Sequence, residues 1–161
     1  MIDYKQMRTI VNGGLSKYLG IPVIRGNQSV AAPAYPYMIT NVTTIASENN
    51  GTWQEHEDGK DRKLVRSIWS VTSLSDDWDE SVANAIKARD WIEHLGRSIL
   101  AENGIMVQST TAITNRDNVL TIEYERLNGF DVIFYVYDVL DNPSATYGTI
   151  DSADIAQERI E

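Results

Sequence analysis

Residues 129–142 read GFDVIFYVYDVLDN, and the alternation in this stretch decides how the chain folds. Phe130, Val132, Phe134 and Val136 alternate with Asp131, Ile133, Tyr135 and Tyr137, which is the period of two that a strand requires. Bulky residues fill both sets of positions. A strand of this kind carries apolar surface on two faces, whereas a sheet with one side in water needs only one. The first set is expected to enter a core. Ile133, Tyr135 and Tyr137 then meet either the first helix of the same chain or a neighbouring copy.

Upstream, Asn128-Gly129 reads as a tight hairpin turn joining this strand to another in VLTIEYERL, residues 119–127. NRDN before it reads as a turn, and IMVQSTTAITN as one strand or two short ones. The preceding SDDWDESVANAIKARDWIEHLGRSILAENG, residues 75–104, has the pattern of a long helix. Asp77 can cap it, with Glu80 completing a capping box, and Asn103-Gly104 ends it. Val82, Ala85, Ala88, Ile92, Leu95 and Ile99 form the expected core stripe, with Trp78 and Trp91 near its flanks.

Two further strands are expected at 37–46 and 63–74, both rich in β-branched residues and joined by the polar insert SENNGTWQEHEDGKDR. An insert of this length reads as a long hairpin arm or a functional loop. Residues 21–36 read as a short apolar run followed by loop around Pro33, Tyr35 and Pro36. At the start, Tyr4, Met7, Ile10, Val11, Leu15 and Tyr18 sit at helical spacing, and Gly20 is placed to stop the helix. Gly13 and Gly14 weaken that helix by roughly 1 kcal/mol each relative to alanine, so it bends there or something packs against the bare backbone. Residues 142–161, with Asp151, Asp154, Glu158 and Glu161 against Arg159, read as an extended acidic tail to a single domain at 1–141. Strands on either side of one long helix imply an α+β fold: a mainly antiparallel twisted sheet with both helices packed on it.

Composition narrows the function. The chain has 161 residues, no cysteine, and 23 acidic against 14 basic residues for a net charge of −9. Thiolate metal sites, disulfides and cysteine nucleophiles are thereby excluded, and the start of the chain, MIDYKQMRTI, has no secretory pattern. No apolar run is long enough to suggest a membrane span, so a soluble protein assembled inside the cell is expected. An acidic balance opposes phosphate gripping. It suits a surface past which DNA moves without sticking.

Catalytic chemistry has little to stand on. His56 lies in the polar insert and His94 on the long helix, with no nucleophile or metal-ligand spacing around either. There is no phosphate-binding glycine motif. The carboxylate clusters SDDWDE and EHED could serve a hydrolase or a weak calcium site, but capping and solvation account for them better. No catalytic residue, metal or cofactor is expected.

In the second half, Arg116 and Asp117 form a small polar turn, residues 124–126 have the character Tyr124-Glu-Arg126, and Gly129, Phe130 and Asp131 open the last strand. That order, following a long helix, resembles the phage neck and tail terminator proteins over residues 35–140. Family members often show a basic pair before the glycine, where this chain has Leu127 and Asn128. The resemblance implies a structural virion protein that assembles in the host cytoplasm, without enzymatic activity. It implies a homo-oligomer, typically a hexameric ring, that closes the tail tube and joins it to the head connector or its stopper protein. DNA passes through the lumen. Ile133, Tyr135, Tyr137, Trp53, Tyr147 and Ile150 are then the candidates for contacts between subunits, since tyrosine and tryptophan give contact area at low entropic cost. Another neck ring, such as a stopper or collar, and a small-ligand-binding domain are the alternatives.

Overall fold

Two strands of equal length form the centre of the protein. A computed structural model describes residues 1–27, 30–47, 51–117 and 125–142. In it, β4 (Lys60–Ser75) and β7 (Arg126–Asp141) pair antiparallel along their whole length, from Lys60↔Asp141 to Ser75↔Arg126. β2 (Tyr37–Ser47) pairs antiparallel with the other edge of β4, and β1 (Val23–Arg25) pairs parallel with β2. β5 (Met106–Thr110) lies on the far side of β7. The order is therefore β1-β2-β4-β7-β5, with β3 (Gln54–Glu55) added to β4 and β6 (Thr114–Asn115) to β7. The fold is α+β, with a mostly antiparallel sheet, as the strand and helix pattern predicts.

Alternation decides which face of that sheet is dry. Phe130, Val132, Phe134 and Val136 are buried, together with Val65, Trp69 and Val71 of β4. Against them pack Met7, Val11 and Leu15 of helix α1 (Tyr4–Leu19) and Ala88 of α2 (Trp78–Asp90). Trp69 and Phe134 meet edge to face at 5.7 Å, a geometry that adds about 0.5–1.5 kcal/mol to the burial of the rings. Both helices therefore lie on one face. Ile133 and Tyr135 project from the other, so the first helix does not cover them.

Helix boundaries follow capping chemistry. Asp3 accepts from the Gln6 N–H and Gly20 closes α1 in the left-handed conformation, its N–H donating to the Ser16 carbonyl. Asp77 caps α2 by accepting from the N–H groups of Asp79 and Glu80. The capping box is only half made, because the Glu80 carboxylate takes the Ser75 hydroxyl instead.

Three expectations are corrected. The long helix is not regular: residues Trp91–Leu95 form a π turn, in which the Gly96 N–H donates to the Trp91 carbonyl at 2.7 Å, before α3 (Arg97–Glu102) resumes. The extra residue rotates everything after it by roughly 100°. Leu95 and Ile99 consequently face solvent, at 52% and 48% exposure, while Leu100 enters the core. Trp91, expected on a flank, is buried. Asn128-Gly129 is not a turn either, since both residues lie inside β7 with β4 on one side and β6 on the other. A hairpin there would forfeit both ladders. It would also free the buried Asn128 amide, which donates to Ser81 Oγ at 3.1 Å. Of the second strand that hairpin would have joined, residues 119–124 lie outside the described residues, as does the tail beyond Asn142.

The glycine pair in α1 is resolved by the same tryptophan. At Gly14, a Cβ would overlap the Trp91 ring, and the same ring lies against Gly96, whereas Gly13 faces open space. Neighbouring substitutions should therefore have opposite signs. Gly13→Ala is expected to stabilise by about 0.5–1 kcal/mol through helix propensity, and Gly14→Ala to destabilise by roughly 1–3 kcal/mol through overpacking. Urea unfolding midpoints of the two variants check this, and equal shifts would contradict it.

Candidate functional site

The sheet face away from the helices carries the residues that the sequence singled out. Antiparallel partners share a face, so Ile133 stands beside Ile68, Tyr135 beside Arg66 and Tyr137 beside Leu64. Thr44 and Ser47 of β2 and Ser109 and Met106 of β5 extend the first two of these rows. No described helix covers this surface. Ile133 and Tyr135 are half-buried by their neighbours, and Tyr137 is 49% exposed. Trp53 stands apart, over the Lys63 side chain with the ammonium 6.0 Å from the ring centre. Tyr147 and Ile150 lie outside the described residues.

A guanidinium braces one end of the face. Arg116 follows β6 and reaches across two strands: it donates to Asp131 Oδ1 of β7 at 2.8 Å, to Thr72 Oγ1 of β4 at 3.1 Å, and to Ser70 Oγ. One cation thereby fastens the Arg-Asp turn to both central strands, with fork geometry that lysine does not supply. Asp117 forms a second tie. Its carboxylate accepts from the Leu127 N–H at 2.6 Å and from Arg126 at 3.2 Å. Burial alone would raise the Asp117 pKa, but the Leu127 and Asn115 hydrogen bonds and Arg126 outweigh it and hold the carboxyl below its ordinary value.

The structure thus brings together Arg116, Asp117, Arg126, Gly129 and Asp131, which the sequence links only by order. Phe130 serves the core instead, Gly129 lies against the Val71 carbonyl where a side chain would collide, and Tyr124 lies outside the described residues. Sequence reasoning missed Ser70 and Thr72. Their signal was available, because a strand whose outward positions run Arg66, Ile68, Ser70, Thr72 offers hydroxyls at its end to any donor crossing it.

Among the described residues no group of three or more His, Asp or Glu side chains could hold a metal. Both carboxylate clusters have structural roles: Asp77 caps α2, and Asp58 pairs with Arg62.

The family model of phage neck terminator proteins matches residues 5–160. The chain belongs to the phage neck terminator family. That match covers nearly the whole chain, more than the part in which the resemblance is visible by eye. It makes the chain a structural protein of the phage neck and tail, associated with other phage head and tail proteins. No curated protein sequence matches the chain. One solved structure, 15% identical, superposes over 84% of this neck terminator and 96% of its own length at a TM-score of 0.44. A likeness that loose carries no functional argument.

Asp117 gives a pH test. A lowered folded pKa contributes stability that is complete above the unfolded value of about 3.9 and fades as pH falls through the folded value. Asp117→Asn is therefore expected to lower the melting temperature at pH 7, and the gap to the wild type should shrink at pH 3. A gap that stays constant between thermal melts at the two pH values would contradict the role given to this carboxylate.

Proposed function

We propose that this neck terminator forms a closed ring, a hexamer, that ends the tail tube and joins it to the head-connector side of the neck, with DNA passing through the centre. The observation that carries this reading is the sheet face around Ile133, Tyr135 and Tyr137, which no described helix covers, in a chain whose family belongs to the phage neck. A head-to-tail ring requires each subunit to present two different patches. The open sheet face supplies one, and Leu95 and Ile99, exposed four residues apart on the helical side, are a separate apolar pair. The net charge of −9 suits a lumen that DNA crosses without adhering. Assembly takes place in the host cytoplasm, and the tail tube protein and the connector or stopper are the neighbours above and below. The ring performs no catalysis. Residues 142–161 act as an acidic extension that reaches between subunits.

Light scattering after size exclusion is expected to give a particle near six times the 18.1 kDa chain. Ile133→Arg should abolish that particle while leaving the far-ultraviolet circular dichroism of the chain unchanged. Imaging of intact phage should place the protein at the head–tail junction. A location elsewhere in the particle, or a chain that stays monomeric even when mixed with tails, would overturn the proposal.

A further inference from the structure

On the helix-bearing side of the sheet, at its β1 edge, a cavity of about 280 Å³ opens between α1 and β2, lined by Tyr4, Arg8, Arg25, Asn27, Ile45 and Trp69 among others. Its walls are held in place. Thr40 Oγ1 donates to Asn12 Oδ1 of α1 at 2.8 Å, and the Gly26 N–H donates to the Thr40 carbonyl at 3.0 Å, so both elements that carry the arginines are tied to β2. Asn27 adopts a left-handed conformation at φ 57, which turns the chain away immediately after Arg25.

Charge makes the site unusual for this protein. The chain has 23 acidic residues against 14 basic ones, yet among the described residues the ion pairs involve Met1, Arg62, Arg116 and Arg126, and neither Arg8 nor Arg25. Two guanidinium groups thus share a preformed cavity with Tyr4, Val42, Ile45 and Trp69 and no carboxylate in its lining. An occupant that fits supplies several carboxylates and some aliphatic surface. Residues 143–161 have that composition: Asp151, Asp154, Glu158 and Glu161 alternate with Ile150, Ile155 and Ile160, against the single cation Arg159.

Position allows a second copy as the donor, and the ring supplies one. Asn142 ends the described chain with its N–H on the Gly59 carbonyl and its amide on Asp61, at the Lys60↔Asp141 end of the central ladder. The cavity lies near Trp69, whose partner is Val132. That places the exit about 30 Å along the strand from the cavity. Donor and receiver are thus separate places on one subunit, as a head-to-tail contact requires.

We propose that the cavity receives the acidic segment 143–161 of the neighbouring copy, with its carboxylates on Arg8 and Arg25 and its isoleucines on the apolar wall. This rests on the ring reading for the presence of a neighbour, and adds the site that the extension engages.

The absence of cysteine allows a direct test on the full chain. Ile45→Cys, at the exposed rim, and Asp154→Cys are made in separate chains, mixed in equal amounts and oxidised. A covalent dimer is expected, and its yield should fall about tenfold when the first chain also carries Arg8→Glu and Arg25→Glu. Charge-swapped Asp151→Lys and Glu158→Lys in the second chain should restore the yield, which separates loss of the site from loss of folding. No dimer, a yield indifferent to the arginines, or a disulfide formed only within a chain carrying both cysteines would overturn the docking. Light scattering of the wild-type chain reports the ring separately: rings without the cross-link reject this site alone, and the arginine-dependent cross-link without rings rejects only the ring.

Discussion

β4 and β7 are joined by an unbroken antiparallel ladder, and every other element takes its place from it. The ladder sets which residues of each strand face the helices. It fixes β2 and β5 as the next strands outward, and it provides the two backbones across which Arg116 reaches. A slip of β7 by one residue would turn Phe130 and Phe134 to solvent, away from Trp69, and bring Asp131 inward. The burial of three large rings on one side is thus what locks the register.

Strand alternation made much of this legible. The two sets in GFDVIFYVYDVLDN separate as core and open face, the strands at 37–46 and 63–74 form where β-branched residues predict them, and the capping residues Asp77 and Gly20 act at the ends they mark. Period and capping are local, so they can be read without knowing what packs on what. The Arg116, Asp117, Arg126 and Asp131 group was legible only as an order of residues. Its meaning as two ties between a turn and a strand depends on pairing across the sheet.

The parts that were not legible share a cause. Asn128-Gly129 has ideal turn chemistry, but a local preference worth about 1 kcal/mol yields to two strand ladders and a buried amide bond. The stripe through Leu95 and Ile99 is sound for an unbroken α-helix, and fails because one extra residue enters the turn at Trp91. Arg8 and Arg25 lie seventeen positions apart in the chain and become neighbours only when α1 settles beside β1.

Trp91 also bears on how this chain can change over time. Its ring lies on the bare backbone at Gly14 in one helix and at Gly96 just beyond the π turn, so the three positions constrain one another. Alanine at Gly14 requires a smaller ring or a shift of α1, and shifting α1 moves Arg8 relative to Arg25. Drift in a buried tryptophan pocket would therefore be felt at the rim of a charged cavity on the protein's surface.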